Sequence, residues 1–148
     1  MEYRTIGDTD LTVSAVGFGT WTLVSDWWGR TDDPDLMIAA ALDAGINFID
    51  TAPVYGEGGL GEDLLKDVLA THRDDIVLTT KCGYDIEAER KYPGQSERPH
   101  DWAPDSLRRQ VEGSLQRLGI DRIDLYQLHN PRIDPILADD LWEVLEEL

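Results

Sequence analysis

Hydrophobic and polar positions alternate in two short runs at the start of the chain, Tyr3 to Ile6 and Leu11 to Ala15, a period that suits half-buried strands. Between them, Gly7-Asp8-Thr9-Asp10 has the composition of a turn, so the two runs predict a β-hairpin. Val16 to Thr20 is a short apolar strand ending in small residues, followed by a polar, aromatic loop that carries Trp21, Trp27 and Trp28. The period then changes. Asp33 is placed to cap, Pro34 suits the first helical position, Leu36 to Ala44 favours helix, and Gly45 stops it.

The same unit recurs along the rest of the chain. Asn47 to Asp50 predicts a strand, Gly61 to Thr71 a helix with Leu64, Leu65, Val68 and Leu69 on its buried face, and Ile76 to Lys81 a strand. Asp85 to Asp101, rich in Glu, Arg, Pro and Gly, is expected to be a long loop and not a domain boundary. Pro104 opens a helix with Leu107, Val111, Leu115 and Leu118 on one side, Gly119 ends it, Ile123 to His129 is a strand, and Ile136 to Leu148 has an amphipathic helical pattern. Strands alternating with helices demand a parallel α/β sheet with right-handed crossovers, either open and doubly wound or closed as a (β/α)8 TIM-type barrel. Four such strands are present, and a barrel takes about 250 residues. On the barrel reading, residues 1–148 form one partial domain: the hairpin and the first four βα units.

Composition removes several classes of function. An apolar content of 41% with five Trp is too rich for a disordered tail, and no stretch approaches the roughly 20 apolar residues of a transmembrane helix. With 30 acidic against 13 basic residues the net charge is -17, the wrong sign for binding nucleic acid. The chain has 20 Asp, 10 Glu, 10 Arg and only three Lys, which suits a surface working in strong salt, where carboxylate repulsion is screened; a halophilic source is expected. The single Cys82 closes no disulfide within the chain and no signal segment precedes the first strand, so a cytoplasmic location is expected.

In parallel βα units the C-terminal ends of all strands share one rim, and here three successive strands end in Asp50, Lys81 and His129. Tyr55 lies just beyond the first of these and reaches the same point. Together they suit a proton donor and its tuners: a phenol is a weak acid, a neighbouring ammonium favours its anionic form, a carboxylate orients that ammonium, and a neutral imidazole offers an N–H to a substrate oxygen. Taken singly, these residues read better as a plain Asp50–Lys81 ion pair and a loop cap at His129; four suitable groups at successive rim positions turn the balance to function.

Gly45-Ile46-Asn47-Phe48-Ile49-Asp50-Thr51-Ala52 with Tyr55-Gly56 resembles the first signature of the aldo-keto reductases. Thr80-Lys81 and Gln127-Leu128-His129 resemble that family's lysine and histidine strand ends, and Val16-Gly17-Phe18-Gly19-Thr20-Trp21 after a hairpin resembles its opening. The resemblance implies reduction of a small aldehyde or ketone with NADPH or NADH. It implies Asp50, Tyr55, Lys81 and His129 as the catalytic tetrad, with Tyr55 as general acid. It also implies Gly19, Thr20 and Asp50 at the cofactor and Trp21 in the substrate pocket; Trp27 and Trp28 either add a wall to that pocket or cover the barrel rim, and their place in the loop after the first strand favours the pocket. It covers the first half of the family's length. This predicts a chain incomplete for catalysis alone, which pairs as a homodimer or with a complementary C-terminal half.

Two other readings stand beside it. A reductase-like scaffold could serve as a non-catalytic binding or regulatory subunit. Gly56-Glu57-Gly58-Gly59-Leu60-Gly61 formally spells the dinucleotide fingerprint of an open-sheet dehydrogenase, although Glu57 would oppose a pyrophosphate and the next strand ends in Lys81 instead of an acid. Asp32-Asp33-Pro34-Asp35 and Asp139-Asp140 lack the spacing of a calcium loop, so no metal site is read. His72 and His100 have no ligand partners at useful spacing, and Cys82 is expected to point into packing, with a redox role left open.

Overall fold

The computed structural model describes residues 1–25, 33–89 and 97–148; Trp27 and Trp28 lie outside them. Strands β1 (Tyr3–Thr5) and β2 (Thr12–Ser14) pair antiparallel as the hairpin. Strands β3 (Phe18–Gly19), β4 (Phe48–Asp50), β5 (Val77–Cys82) and β6 (Leu125–Leu128) form a parallel sheet in sequential order. Gly19 lies beside Asp50, Asp50 beside Thr79, and Lys81 beside Gln127. Sequential parallel order with a helical connection at each step is the arrangement of a TIM-type barrel sheet.

Helix α1 (Trp21–Val24) follows β3 at once. Helix α2 (Pro34–Asp43) starts as its sequence predicts: the Asp33 side chain accepts from the Leu36 N–H at 3.0 Å, and Pro34 occupies the first turn. The helix expected over 61–71 is instead broken into α3 (Leu60–Asp63) and α4 (Lys66–His72). Glu62 is pinned inside the protein by Thr80 and Arg117, which fixes the first piece independently of the second. Helix α5 (Pro104–Leu118) ends at Gly119, whose φ of +69° lets its N–H turn back to the Leu115 carbonyl. Its most buried stripe is Leu107, Ser114 and Leu118, with Val111 and Leu115 only half-buried, so the helix is rolled from the face its leucines predict. The tail divides into α6 (Ile133–Ile136) and α7 (Asp139–Glu147), because Ala138 between them is extended.

Between sheet and helices, Ile38, Ile49, Leu65, Leu69, Ile76, Leu78 and Leu118 form one apolar cluster. Burial of each such side chain contributes about 1.5–3 kcal/mol. Cys82, Leu107, Leu141 and Val144 form a second cluster that seats α7 beneath the rim. At the base of the sheet, side chains continue the backbone ladder. Asn47 Oδ1 accepts from the Ser14 N–H at 2.6 Å while its Nδ2 donates to the Thr12 carbonyl at 2.9 Å, which latches the hairpin to β4. Asp124 Oδ2 accepts from the Leu78 N–H at 2.8 Å, and Arg73 holds the same carboxylate at 2.9 Å. Among the described residues no helix is long and apolar enough to cross a membrane.

Candidate active site

Because all four strands of the sheet run the same way, their ends deliver Gly19, Asp50, Lys81 and His129 to one rim. Lys81 organises it. Its Nζ donates to Asp50 Oδ1 at 2.7 Å and Oδ2 at 2.8 Å, to the Thr51 carbonyl at 2.9 Å and to Tyr55 Oη at 3.1 Å. An ammonium has three protons, so the phenol shares its donor with stronger acceptors. Gln127 Nε2 approaches Asp50 Oδ1 at 3.4 Å and holds Thr79 with its other proton, bracing the carboxylate from β6.

Tyr55 is held by a tight turn. Its N–H donates to the Ala52 carbonyl at 3.1 Å, and its own carbonyl accepts from the Gly61 N–H at 2.8 Å. A Cβ at Gly61 would come 2.7 Å from Tyr55 Cβ, and one at Gly59 would come 2.4 Å from the Arg117 side chain. Protein groups therefore fill the space those glycines free. Arg117 crosses Gly59 to reach Glu62 Oε2 at 2.7 Å, and Thr80 donates to Glu62 Oε1 at 2.6 Å. The glycine-rich segment is a close-approach device for Tyr55 and Arg117.

His129 follows β6 and donates its backbone N–H to the Cys82 carbonyl at 2.9 Å. Its ring meets Tyr55 edge to face, with centroids 5.8 Å apart. Burial pushes the imidazole down to about 4, helped by the Lys81 charge and by His100 and opposed by Asp50. It is therefore neutral near pH 7 and able to donate one N–H.

Asp50, Tyr55, Lys81 and His129 thus converge at one rim. Gly19 also lies there, exposed, with nothing within 4 Å of where a Cβ would stand. Thr20 behaves differently: it is fully buried and its hydroxyl donates to Thr51 Oγ1 at 2.8 Å, so its side chain underlies the rim instead of facing it. Trp21 is 41% exposed at the start of α1. Burial pushes the Cys82 thiol up to about 11, so it packs as a protonated group. Among the described residues no cluster of three or more His, Cys, Asp or Glu is arranged to hold a metal ion. Sequence reasoning missed Gln127, Tyr84 and His100 at this rim. Gln127 was findable, because it lies two residues before His129 and so shares its face of the strand; His100 carried no such signal.

Residues 15–148 match the family model of the Aldo/keto reductase family. The chain belongs to the aldo/keto reductase family. Aldo-keto reductase YhdN of Bacillus subtilis is 37% identical over 153 residues, which span 100% of this chain and 43% of that protein. The NADH-specific methylglyoxal reductase of Escherichia coli is 37% identical, across 97% of this chain and 47% of its own length. Among solved structures, aldo-keto reductase AKR11C1 from Bacillus halodurans in its holo form superposes with a TM-score of 0.82 at 38% identity, covering 100% of this chain and 46% of that one. This chain therefore spans less than half the length of these relatives. Membership removes the open-sheet dehydrogenase reading, and the glycine-rich segment serves packing around Tyr55 and Arg117 instead.

Proposed function

We propose that this chain carries the proton-transfer machinery of an NAD(P)H-dependent reductase acting on a small aldehyde or ketone. The observation that supports this best is a single ammonium, Lys81 Nζ, bonded at once to the Asp50 carboxylate and the Tyr55 hydroxyl. An inert structural ion pair has no use for a phenol as a further partner; a proton donor does.

The rim fits a nicotinamide cofactor in one specific respect. Gly19, at the end of β3, leaves unfilled space next to Asp50, which a flat ring could occupy. Gly19 and Asp50 are the residues that would hold it, with Thr20 supporting them from below through Thr51. When bound, the reduced cofactor supplies a hydride to the carbonyl carbon. The remaining work falls to the chain. Tyr55 gives its phenolic proton to the carbonyl oxygen as negative charge develops there, Lys81 offsets the charge left on the phenol, and Asp50 keeps Lys81 aimed. The neutral His129 orients the oxygen through its N–H. Trp21, at the start of α1, walls the substrate; for Trp27 and Trp28 the same role rests on the sequence alone.

Residues 1–148 act as one domain in this reading, and turnover needs the other half of a barrel, whether on the same polypeptide or a separate one. Positioned general acids contribute about 10² to 10⁴ in rate. Tyr55→Phe in the completed barrel is therefore expected to abolish aldehyde reduction while leaving NAD(P)H binding nearly unchanged. Steady-state kinetics and a fluorescence titration check both, and activity within a factor of about two of the parent would overturn the acid role. The charge of -17 with three lysines further supports adaptation to strong salt. Circular dichroism should then show structure lost at low ionic strength and regained in molar KCl, and a flat response would refute it.

A further inference from the structure

Residues 83–85 and 99–101, from the segment between β5 and α5, pair with each other beside His129. Asp85 N–H donates to the Pro99 carbonyl at 2.9 Å and Asp101 N–H to the Gly83 carbonyl at 2.8 Å, with Tyr84 bridged to His100 between them. This short ribbon stacks the His100 ring on Tyr84, centroids 4.1 Å apart and planes at 21°, while its other face lies against Trp102 at 5.2 Å and 15°. Gly83 makes the arrangement possible. Its φ is +116°, and a Cβ there would stand 2.1 Å from the Trp102 indole.

Held between two rings, His100 directs Nε2 at the backbone carbonyl of His129, 3.0 Å away. A carbonyl only accepts, so Nε2 carries the proton. The peptide that follows is set in the same way. Asn130 has a φ of +50°, unusual for a residue with a side chain, and its Nδ2 donates to Tyr84 Oη at 3.2 Å. The Tyr84 ring in turn meets the His129 ring edge to face at 4.8 Å. His129 is thus gripped at its N–H by β5, at its carbonyl by His100, and at its ring by Tyr84 and Tyr55.

We propose that His100 is a positioning residue for His129: from its seat between Tyr84 and Trp102 it clamps the His129 carbonyl and so holds the His129 imidazole against Tyr55. A loop staple alone would need no hydrogen bond to the one peptide that aims the rim imidazole. The inference builds on the reading of His129 as the group that orients the substrate oxygen, but its geometry is testable without turnover.

The chain contains three histidines, which makes ring ¹⁵N NMR of the full chain direct, with half-exposed His72 as internal control. In the parent, His100 should show a resolved Nε2 proton and the Nε2–H tautomer; the opposite tautomer would overturn the proposal without any variant. The groups facing His129 are Lys81 on β5, Asp50 on β4, Tyr55 and Tyr84 from the rim loops, and His100 itself. His100→Phe preserves stacking and removes the donor. It should let water reach His129, raise its titration midpoint by about half a pH unit or more and weaken the Tyr55–His129 ring contact, with His72 unmoved. His100→Gln likewise loses the His100 charge that helps hold His129 down, but its amide can still donate, so its midpoint should rise by clearly less than that of His100→Phe. An unchanged midpoint in a folded His100→Phe chain, or equal shifts in both variants, would reduce His100 to loop packing. Kinetics of the completed barrel separate the two levels. If the NMR behaves as described while Tyr55→Phe stays active, the proposed function fails and the clamp stands. An unmoved midpoint with inactive Tyr55→Phe removes the clamp and leaves the proposed function standing.

Discussion

Two ion pairs meet β5 at consecutive residues, on opposite faces of the sheet, and they differ in what they leave open. On the helix side, Thr80 donates to Glu62, which pairs with Arg117; the Glu62 side chain is 0% exposed and that of Arg117 21%. Each Glu62 oxygen has one charged or hydroxyl donor, and the cluster is closed. On the inner side, Lys81 pairs with Asp50 at side-chain exposures of 13% and 34%, and its ammonium still reaches Tyr55. Burying a charged pair returns little net stability because desolvation consumes most of the attraction. The closed pair is therefore best understood as geometry: it ties α3, which bonds the Tyr55 carbonyl through Gly61, to β5 and α5. In the proposed function the open pair keeps a polar group at the rim for chemistry. One strand thus carries the frame and the proposed reagent on consecutive residues, and the frame fixes how far the phenol stands from the ammonium.

If that division is right, breaking the closed pair should hurt folding most. Arg117→Met leaves Glu62 buried without a countercharge and is expected to lower stability by about 3–5 kcal/mol; urea unfolding of the chain measures this, and a loss below about 1 kcal/mol would erase the contrast. Lys81→Met should do the reverse. Asp50 remains partly hydrated, so stability should fall by only about 1–2 kcal/mol. Carbonyl reduction in the completed barrel should drop by about 10² to 10³. Parallel unfolding and steady-state assays of this variant place it on one side of the comparison or the other.

A further test sharpens the open side and comes from pH. His129 is held down to about 4 when folded, against about 6.5 in an unfolded chain. Between those values the unfolded state binds the extra proton and the folded state does not. This histidine therefore makes stability fall as pH drops through that window, with its contribution fully retained above it. His129→Gln should flatten that part of the stability profile, whereas Arg117→Met should lower the profile without removing its slope there.

Punctuation along the chain made much of this legible. Asp33 and Pro34 announced α2, Gly45 and Gly119 announced stops, and ionisable residues closing apolar runs marked the rim at Asp50, Lys81 and His129. These are local signals, readable over a few residues. The break between α3 and α4 was not, because it follows from the Glu62–Arg117 pair, whose members are 55 residues apart. Nor was the His100 clamp, which acts across 29 residues on a backbone carbonyl, an acceptor every residue possesses. Side-chain periodicity records which face is buried; it carries no record of which distant group bonds to a peptide.

The side-chain rungs at the base of the sheet have a dynamic consequence. A peptide acceptor is lost only when its strand separates, but Asn47 Oδ1 and Asp124 Oδ2 are lost by rotation about a side-chain bond. The amide hydrogens of Ser14 and Leu78 are therefore open to exchange with solvent through rotamer hops, on a far shorter timescale than strand opening. Arg73 and Arg122 restrain the Asp124 carboxylate and among the described residues no guanidinium restrains Asn47, so Ser14 should exchange before Leu78. The sheet breathes first at its hairpin corner, at the end remote from the rim.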